Sequence, residues 1–204
     1  MKSECFDEIR LLLGQYKKVS SEQRLLMVPF TSLADYLWML RVICERLGNI
    51  GPRVLLYLAA AVSDFYIPAS EMPQHKIQSA IGAPKLELQL VPKMLHPLVK
   101  NWVPNAYVIS FKLETDPELL EQKARKALET YQHQMVIANL LKDRKIRVRI
   151  IEKGHGIDET KGTTIVELNE DEIKGGKEIE EKIVCMVCEV HKKFYASSKN
   201  DQER

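Results

Sequence analysis

Apolar positions recur along this chain in two rhythms, and each rhythm predicts its own kind of element. Phe6, Ile9, Leu12 and Leu13 stand at helical spacing, so residues 3–17 read as an amphipathic helix. Leu25–Phe30 reads as a short strand. Ser32 and Asp35 stand three apart, an acidic variant of the capping box, and open a second helix. Leu33, Leu37, Leu40, Ile43 and Leu47 supply its buried stripe, and Gly48 and Gly51 close it. Val54–Leu58 is a continuous apolar run, the pattern of a strand covered on both faces of a parallel sheet. Strand, helix and strand in this order predict parallel pairing through a right-handed crossover.

Residues 67–84 break the pattern. They hold Pro68, Pro73, Gly82 and Pro84 with little periodicity, and a loop this long inside a compact domain is usually functional. Leu86, Leu88 and Leu90 then alternate with Lys85, Glu87 and Gln89, which predicts a half-buried strand over Lys85–Val91. Pro92 ends it, and residues 93–101 form a short helix. Tyr107–Phe111 reads as a buried strand. Thr115-Asp116-Pro117-Glu118 combines a capping box with a first-turn proline and starts a helix that runs to about Tyr131. Met135–Ala138 is the next strand, ending at Asn139. Ile146–Ile151 and Thr163–Glu167 alternate as strands, and residues 170–195 form a final helix before a polar tail over 197–204. The fold class is α/β, a mainly parallel sheet flanked by helices.

Composition narrows the function classes. At 204 residues and 45% apolar, one domain over residues 1–196 with a sizeable core is expected. The 30 basic and 28 acidic residues are interspersed, giving a net charge of +2 and no nucleic-acid footprint. No apolar stretch approaches the roughly 18 residues of a membrane span, and the mixed charges of residues 1–10 do not make a signal peptide. Cys185 and Cys188 lie inside the apolar helical run Ile179–Val190 and read as buried helix cysteines. No further pair stands at zinc spacing, so no metal-ligating set is assigned, and the cysteine usage fits a reducing, cytoplasmic compartment.

The candidate chemistry sits after the Val54–Leu58 run. Ala59-Ala60-Ala61 keeps side chains out of the way, so a ligand can approach the backbone. Asp64 follows at once, and Lys76 stands on the loop twelve residues later. Ligands of open α/β sheets bind outside the carboxyl ends of the strands. Each residue also has a plainer role open to it. Asp64 could cap a turn, Lys76 could be a solvated loop lysine, and Phe111 could be core. Asn139 could be a helix N-cap, and Lys123, Arg125 and Lys126 could be a solvated helix face. His96 and His133 read as structural.

Taken in order, the motifs Ala-Ala-Ala-Val-Ser-Asp-Phe-Tyr (59–66), His-Lys-Ile-Gln (75–78), Ile-Ser-Phe-Lys-Leu-Glu-Thr-Asp (109–116) and Ile-Ala-Asn (137–139) resemble phosphopantothenoylcysteine synthetase, closest to the animal type. Phe30–Tyr36 and Tyr131–Gln134 share the resemblance, which runs from about residue 30 to 195. It implies a Rossmann-like fold and a ligase that joins 4′-phosphopantothenate to L-cysteine through an acyl-nucleotidylate in coenzyme A synthesis. It implies ATP as the nucleotide, turned over to AMP and pyrophosphate, with Mg2+. Ala60, Ala61 and Asp64 would line the phosphopantothenate site. Lys76 would sit on a flap over 67–84, above the reacting carboxylate and with Asp64 in the catalytic role. Phe111, Asn139 and Lys126 would hold the nucleotide. The strand after the flap would build a homodimer. The family's glycine-rich first turn and its Asn-Phe-Ser-Ser-Gly-like segment have no match here. The chain is therefore expected to correspond to the carboxyl-terminal two-thirds of such an enzyme, with one central sheet edge uncovered. A shortened, non-catalytic form that keeps the fold and dimer surface is the alternative.

Overall fold

The computed structural model describes residues 3–75, 82, 85–153 and 160–202. The chain forms two compact units, residues 1–36 and 37–204. In the first, helix α1 spans Ser3–Ser21, four residues longer than its apolar stripe predicts. The predicted strand over Leu25–Phe30 does not form: the segment has no strand partner, and Leu26 and Met27 are 85% and 70% exposed. An apolar run becomes a strand only where a neighbour completes its ladder. The predicted strand–helix–strand crossover is therefore not made. The capping box is made. Ser32 Oγ accepts from the Asp35 N–H at 3.1 Å, and Asp35 Oδ2 accepts from the Ser32 N–H at 3.2 Å. Both bonds open helix α2, Leu33–Leu47.

The second unit is built on a five-stranded sheet. Its strands are β1 (Leu55–Leu58), β4 (Tyr107–Glu114), β5 (Met135–Leu140), β6 (Arg147–Lys153) and β7 (Thr160–Glu167), in the order β1-β4-β5-β6-β7. β1, β4 and β5 are parallel, and β6 is antiparallel to both of its neighbours. Four of the five strands thus run the same way, as a Rossmann-like α/β sheet requires. Between β1 and β4 lie β2 (Phe65–Tyr66), β3 (Gln89–Leu90) and the short helix α3 (Leu95–Pro97), which runs on into a π-helical turn at Leu98–Trp102. Helix α4 (Pro117–Tyr131) joins β4 to β5, and α5 (Glu170–Lys174) and α6 (Ile179–Gln202) end the chain.

One face of the sheet packs on α6: Ile109, Met135, Ile137 and Ile150 meet Ile179, Ile183 and Val187. The other face packs on two clusters. Under β5 and β6, Val136, Ala138 and Ile151 meet Leu120, Ala124 and Leu128 of α4. Under β1, Val54, Leu56 and Val108 meet Cys44, Leu98, Val99 and Val103. Helix α4 starts where predicted, with Pro117 in its first turn, but its cap is Asp116 rather than a Thr115–Glu118 box: Asp116 Oδ1 accepts from the Glu118 N–H at 2.9 Å.

Five further expectations are corrected. Val54–Leu58 was predicted as a strand covered on both faces, but β1 ends the sheet order and Tyr57 is 37% exposed. The alternation over Lys85–Val91 becomes a strand only at Gln89–Leu90, and Leu86, Leu88 and Leu90 are all exposed. The final helix is two helices, because Gly176 turns the chain at φ +74 after α5. Cys185 and Cys188 are exposed rather than buried, because the stripe Ile179, Ile183, Val187 takes the sheet side of α6. α6 stays helical through Gln202, inside the predicted tail. No helix among the described residues is long and apolar enough to cross a membrane.

Candidate functional site beside the end of strand β1

β1 leaves the sheet at Leu58, and the chain tightens at once. The Ala59 N–H donates to Tyr57 O at 3.2 Å and the Val62 N–H to Ala60 O at 3.1 Å. Ala59 to Tyr66 are exposed, so the three alanines leave this backbone open. Ser63 Oγ accepts from the Phe65 N–H at 3.1 Å, which aims the chain into β2. β2 pairs antiparallel with β3, and Asp64 O accepts from the Val91 N–H at 2.9 Å. That ladder brings Lys93 back across 29 residues to Asp64, with Nζ 3.0 Å from Oδ1. The hydrogen bond to Asp64, then its charge, lifts the Lys93 ammonium above the usual lysine range.

A buried polar couple joins β4 to the turn before β5. His133 is fully buried, and its Nε2 stands 2.8 Å from Ser110 Oγ on β4, which is in register with Leu58 of β1. Burial, then the charge of Lys153, pulls the imidazole from 6.5 to about 4. His133 thus lies inside the fold, held at one ring nitrogen by Ser110.

Phe111 and Asn139 lie on the opposite face of the sheet. Phe111 meets Tyr57 edge-on, with centroids 4.9 Å apart. Alternation along β4 and β5 places Asn139 on the same face, in register with Leu113. Asn139 Oδ1 is buried without a hydrogen-bond partner among the described residues, an acceptor that calls for a donor. A cavity of about 150 Å³ opens at the carboxyl end of β5 and reaches the α4 side of the sheet, lined by Asn139, Ala138, Pro117, Leu120, Lys142 and Arg149. Lys126 is exposed on α4, and no described interaction ties it to Asp64 or Asn139. Lys123, read as solvated, instead bonds Glu114 at 2.8 Å, and Lys112 bonds the same carboxylate at 3.1 Å. Those lysines, Lys123 first, hold Glu114 below the usual carboxylate range. Lys76 lies outside the described residues.

The structure therefore gathers Ala60, Ala61 and Asp64 in one exposed segment, and Phe111 with Asn139 on one face. Sequence reasoning missed Lys93, because nothing in its spacing shows the return across the β2–β3 ladder. It also missed Tyr57, which it absorbed into an apolar run. Among the described residues no group of three or more His, Cys, Asp or Glu is placed to hold a metal ion.

Open Rossmann-like α/β sheets bind small ligands outside the carboxyl ends of their strands, where this chain has its open, small-residue turn. The chain belongs to the family described as the DNA/pantothenate metabolism flavoprotein C-terminal domain, which matches residues 39–174. It is 52% identical over 172 residues to a phosphopantothenate–cysteine ligase of Homo sapiens, covering 84% of this chain and 53% of the relative. It is 39% identical over 199 residues to phosphopantothenate–cysteine ligase 1 of Oryza sativa subsp. japonica, covering 97% and 59%. It thus spans little more than half the length of these curated relatives. A Cab2 mutant solved in complex with phosphopantothenate-cysteine superposes with a TM-score of 0.85 at 38% identity, covering 98% of this chain and 63% of that one.

Proposed function

We propose that this chain carries the chemistry of a phosphopantothenate–cysteine ligase of coenzyme A biosynthesis. The observation that carries the reading is the 52% identity to the human ligase across 84% of the chain. In the proposed reaction the carboxylate of 4′-phosphopantothenate attacks the α-phosphorus of ATP and expels pyrophosphate. The L-cysteine amine then attacks the acyl carbon, loses its proton, and expels AMP as the amide forms.

The residues suit these steps. Ala60 and Ala61 leave backbone groups open to the substrate, and Asp64 orients it. Lys76 neutralises the carboxylate and α-phosphate as charge builds, in a site whose flap over 67–84 excludes water from the mixed anhydride. Phe111 offers a wall to the base, and Asn139 Oδ1 accepts from its amine. Lys126 attracts the phosphates from α4. Asp64 is exposed and only one of its oxygens is paired, with Lys93, so it could hold Mg2+, which is usually bound by one or two carboxylates plus substrate phosphates. When bound, the ion supplies positive charge to the phosphoryl oxygens. The exposed strip of Leu86, Leu88 and Leu90 serves as the homodimer surface, and the protein works in the cytoplasm.

The test is release of AMP and pyrophosphate by the chain with 4′-phosphopantothenate and L-cysteine, with ATP and then CTP. Cysteine-dependent AMP release supports the reading. Lys76→Gln then lowers turnover by about 10²–10³. Product binding without turnover favours instead a shortened, non-catalytic form that keeps the fold and dimer surface. Neither binding nor turnover sinks both.

A further inference from the structure

The Lys93–Asp64 pair is open to solvent on both sides: the lysine side chain is 61% exposed and the aspartate 72%. A pair that exposed contributes little to stability, about 0–1 kcal/mol in measured cases. Its position is nevertheless built with care. Val91, two residues before Lys93, is buried, and its N–H is held by Asp64 O at 2.9 Å. Pro92 fixes the backbone between them. Leu98 and Val99, in the π-helical turn that follows α3, are buried in the cluster under β1. Both flanks of Lys93 are therefore anchored, while its exposed ammonium is held by Asp64 in the turn that follows Ala60 and Ala61.

We propose that Lys93 is a phosphate-holding residue of this site, and that Asp64 occupies its ammonium until an oxyanion competes for it. An ammonium has three donors and takes a phosphoryl oxygen at the distance at which it takes a carboxylate. The raised Lys93 value means that the ammonium keeps its proton across the neutral range. Exchange of Asp64 for a dianionic phosphate raises the negative charge facing the Lys93 ammonium from −1 to −2, which favours the phosphate in the competition. The freed carboxylate can then turn to a positive group, such as the amine of the second substrate. The ligase reading enters only in naming the oxyanion, which is either the phosphate monoester of 4′-phosphopantothenate or the polyphosphate of the nucleotide.

Titration calorimetry at low salt separates these cases, with pyrophosphate as the minimal probe and ATP, 4′-phosphopantothenate and unphosphorylated pantothenate as the others. Lys93→Gln should weaken pyrophosphate by about 10- to 100-fold, the loss of one charge-assisted hydrogen bond. Lys93→Arg should recover most of it. Asp64→Asn should tighten pyrophosphate, and should lose that gain when Lys93→Gln is added. Whichever of ATP or 4′-phosphopantothenate weakens in Lys93→Gln identifies the oxyanion, and pantothenate should be indifferent. A Lys93→Gln chain that melts like the parent and binds pyrophosphate equally well overturns the inference, as does a parent that binds no pyrophosphate. Lys93-dependent pyrophosphate binding without affinity for ATP or 4′-phosphopantothenate keeps the anion site and discards the ligase reading.

Discussion

His133 makes the chain's stability depend on pH between 4 and 6.5. Its ring is fully buried, Nε2 is held by Ser110 Oγ, and Nδ1 has no partner among the described residues. No described acceptor stands ready at Nδ1 for a second proton. Desolvation first, and Lys153 second, lower the imidazole from 6.5 to about 4. The fold therefore prefers neutral His133. Between these two values the unfolded chain binds the proton and the folded chain does not, so stability rises with pH. The contribution is complete above pH 6.5 and is lost as pH falls through 4. The full span is roughly 3 kcal/mol, and the part lost between pH 7 and pH 5 is about 2 kcal/mol.

Urea unfolding at pH 7, 6 and 5 measures that slope. Glu114 and Glu172, whose lysine partners lower them, remain ionised above pH 5 and do not contribute there. His133→Asn removes the titration while keeping a polar group near Ser110. Its absolute stability will differ from the parent, but its change between pH 7 and pH 5 should be smaller by about 2 kcal/mol. Parallel curves for the two proteins would refute the reasoning, because the lost protonation must then belong to another group. So would a parental His133 ring signal that titrates near 6.5.

Two shorter predictions follow from packing and exposure. A Cβ at Gly48 would collide with the backbone carbonyl oxygen of Trp102, so Gly48→Ala should destabilise the chain by about 1–3 kcal/mol, read by urea midpoint. If a second copy covers the strip of Leu86, Leu88 and Leu90, Leu90→Glu should convert a sedimenting dimer to monomer, and a parent that sediments as a monomer at micromolar concentration counts against that interface.

The sequence was legible where one local pattern decided the outcome. β4, α4 and β5 follow from apolar runs bounded by Asp116-Pro117 and Asn139, and each packs as its pattern implies. It misled where a partner decided. Leu25–Phe30 carries a strand's composition but no neighbour, and Lys85–Leu88 alternates without pairing. Cys185 and Cys188 sit in an apolar helix whose sheet-facing stripe was already filled by Ile179, Ile183 and Val187. The site shows the same division. The turn after β1 and the buried strand bearing Phe111 could be read from composition. The reach of Lys93 to Asp64 could not, because it depends on the two-residue ladder between β2 and β3.

That ladder also says which part of the core holds the site in shape. β1 pairs with β4 along one edge only, so its place depends on the cluster beneath it: Cys44, Val54, Leu56, Leu98, Val99 and Val108. Leu98 is fully buried there, and it also anchors the segment that follows Lys93. Ile137 is equally buried but belongs to the α6 face of β5. Leu98→Ala and Ile137→Ala should each cost about 2–5 kcal/mol of global stability. Only the first should loosen the site locally. The Val91 amide, bonded to Asp64 O, reports this by hydrogen exchange in the native state. It should exchange faster in Leu98→Ala and stay near parental in Ile137→Ala as long as that variant remains mostly folded. Equal acceleration in both variants would mean that the turn after β1 opens only with the whole sheet. The Lys93–Asp64 pair would then have no independent seat in the cluster under β1.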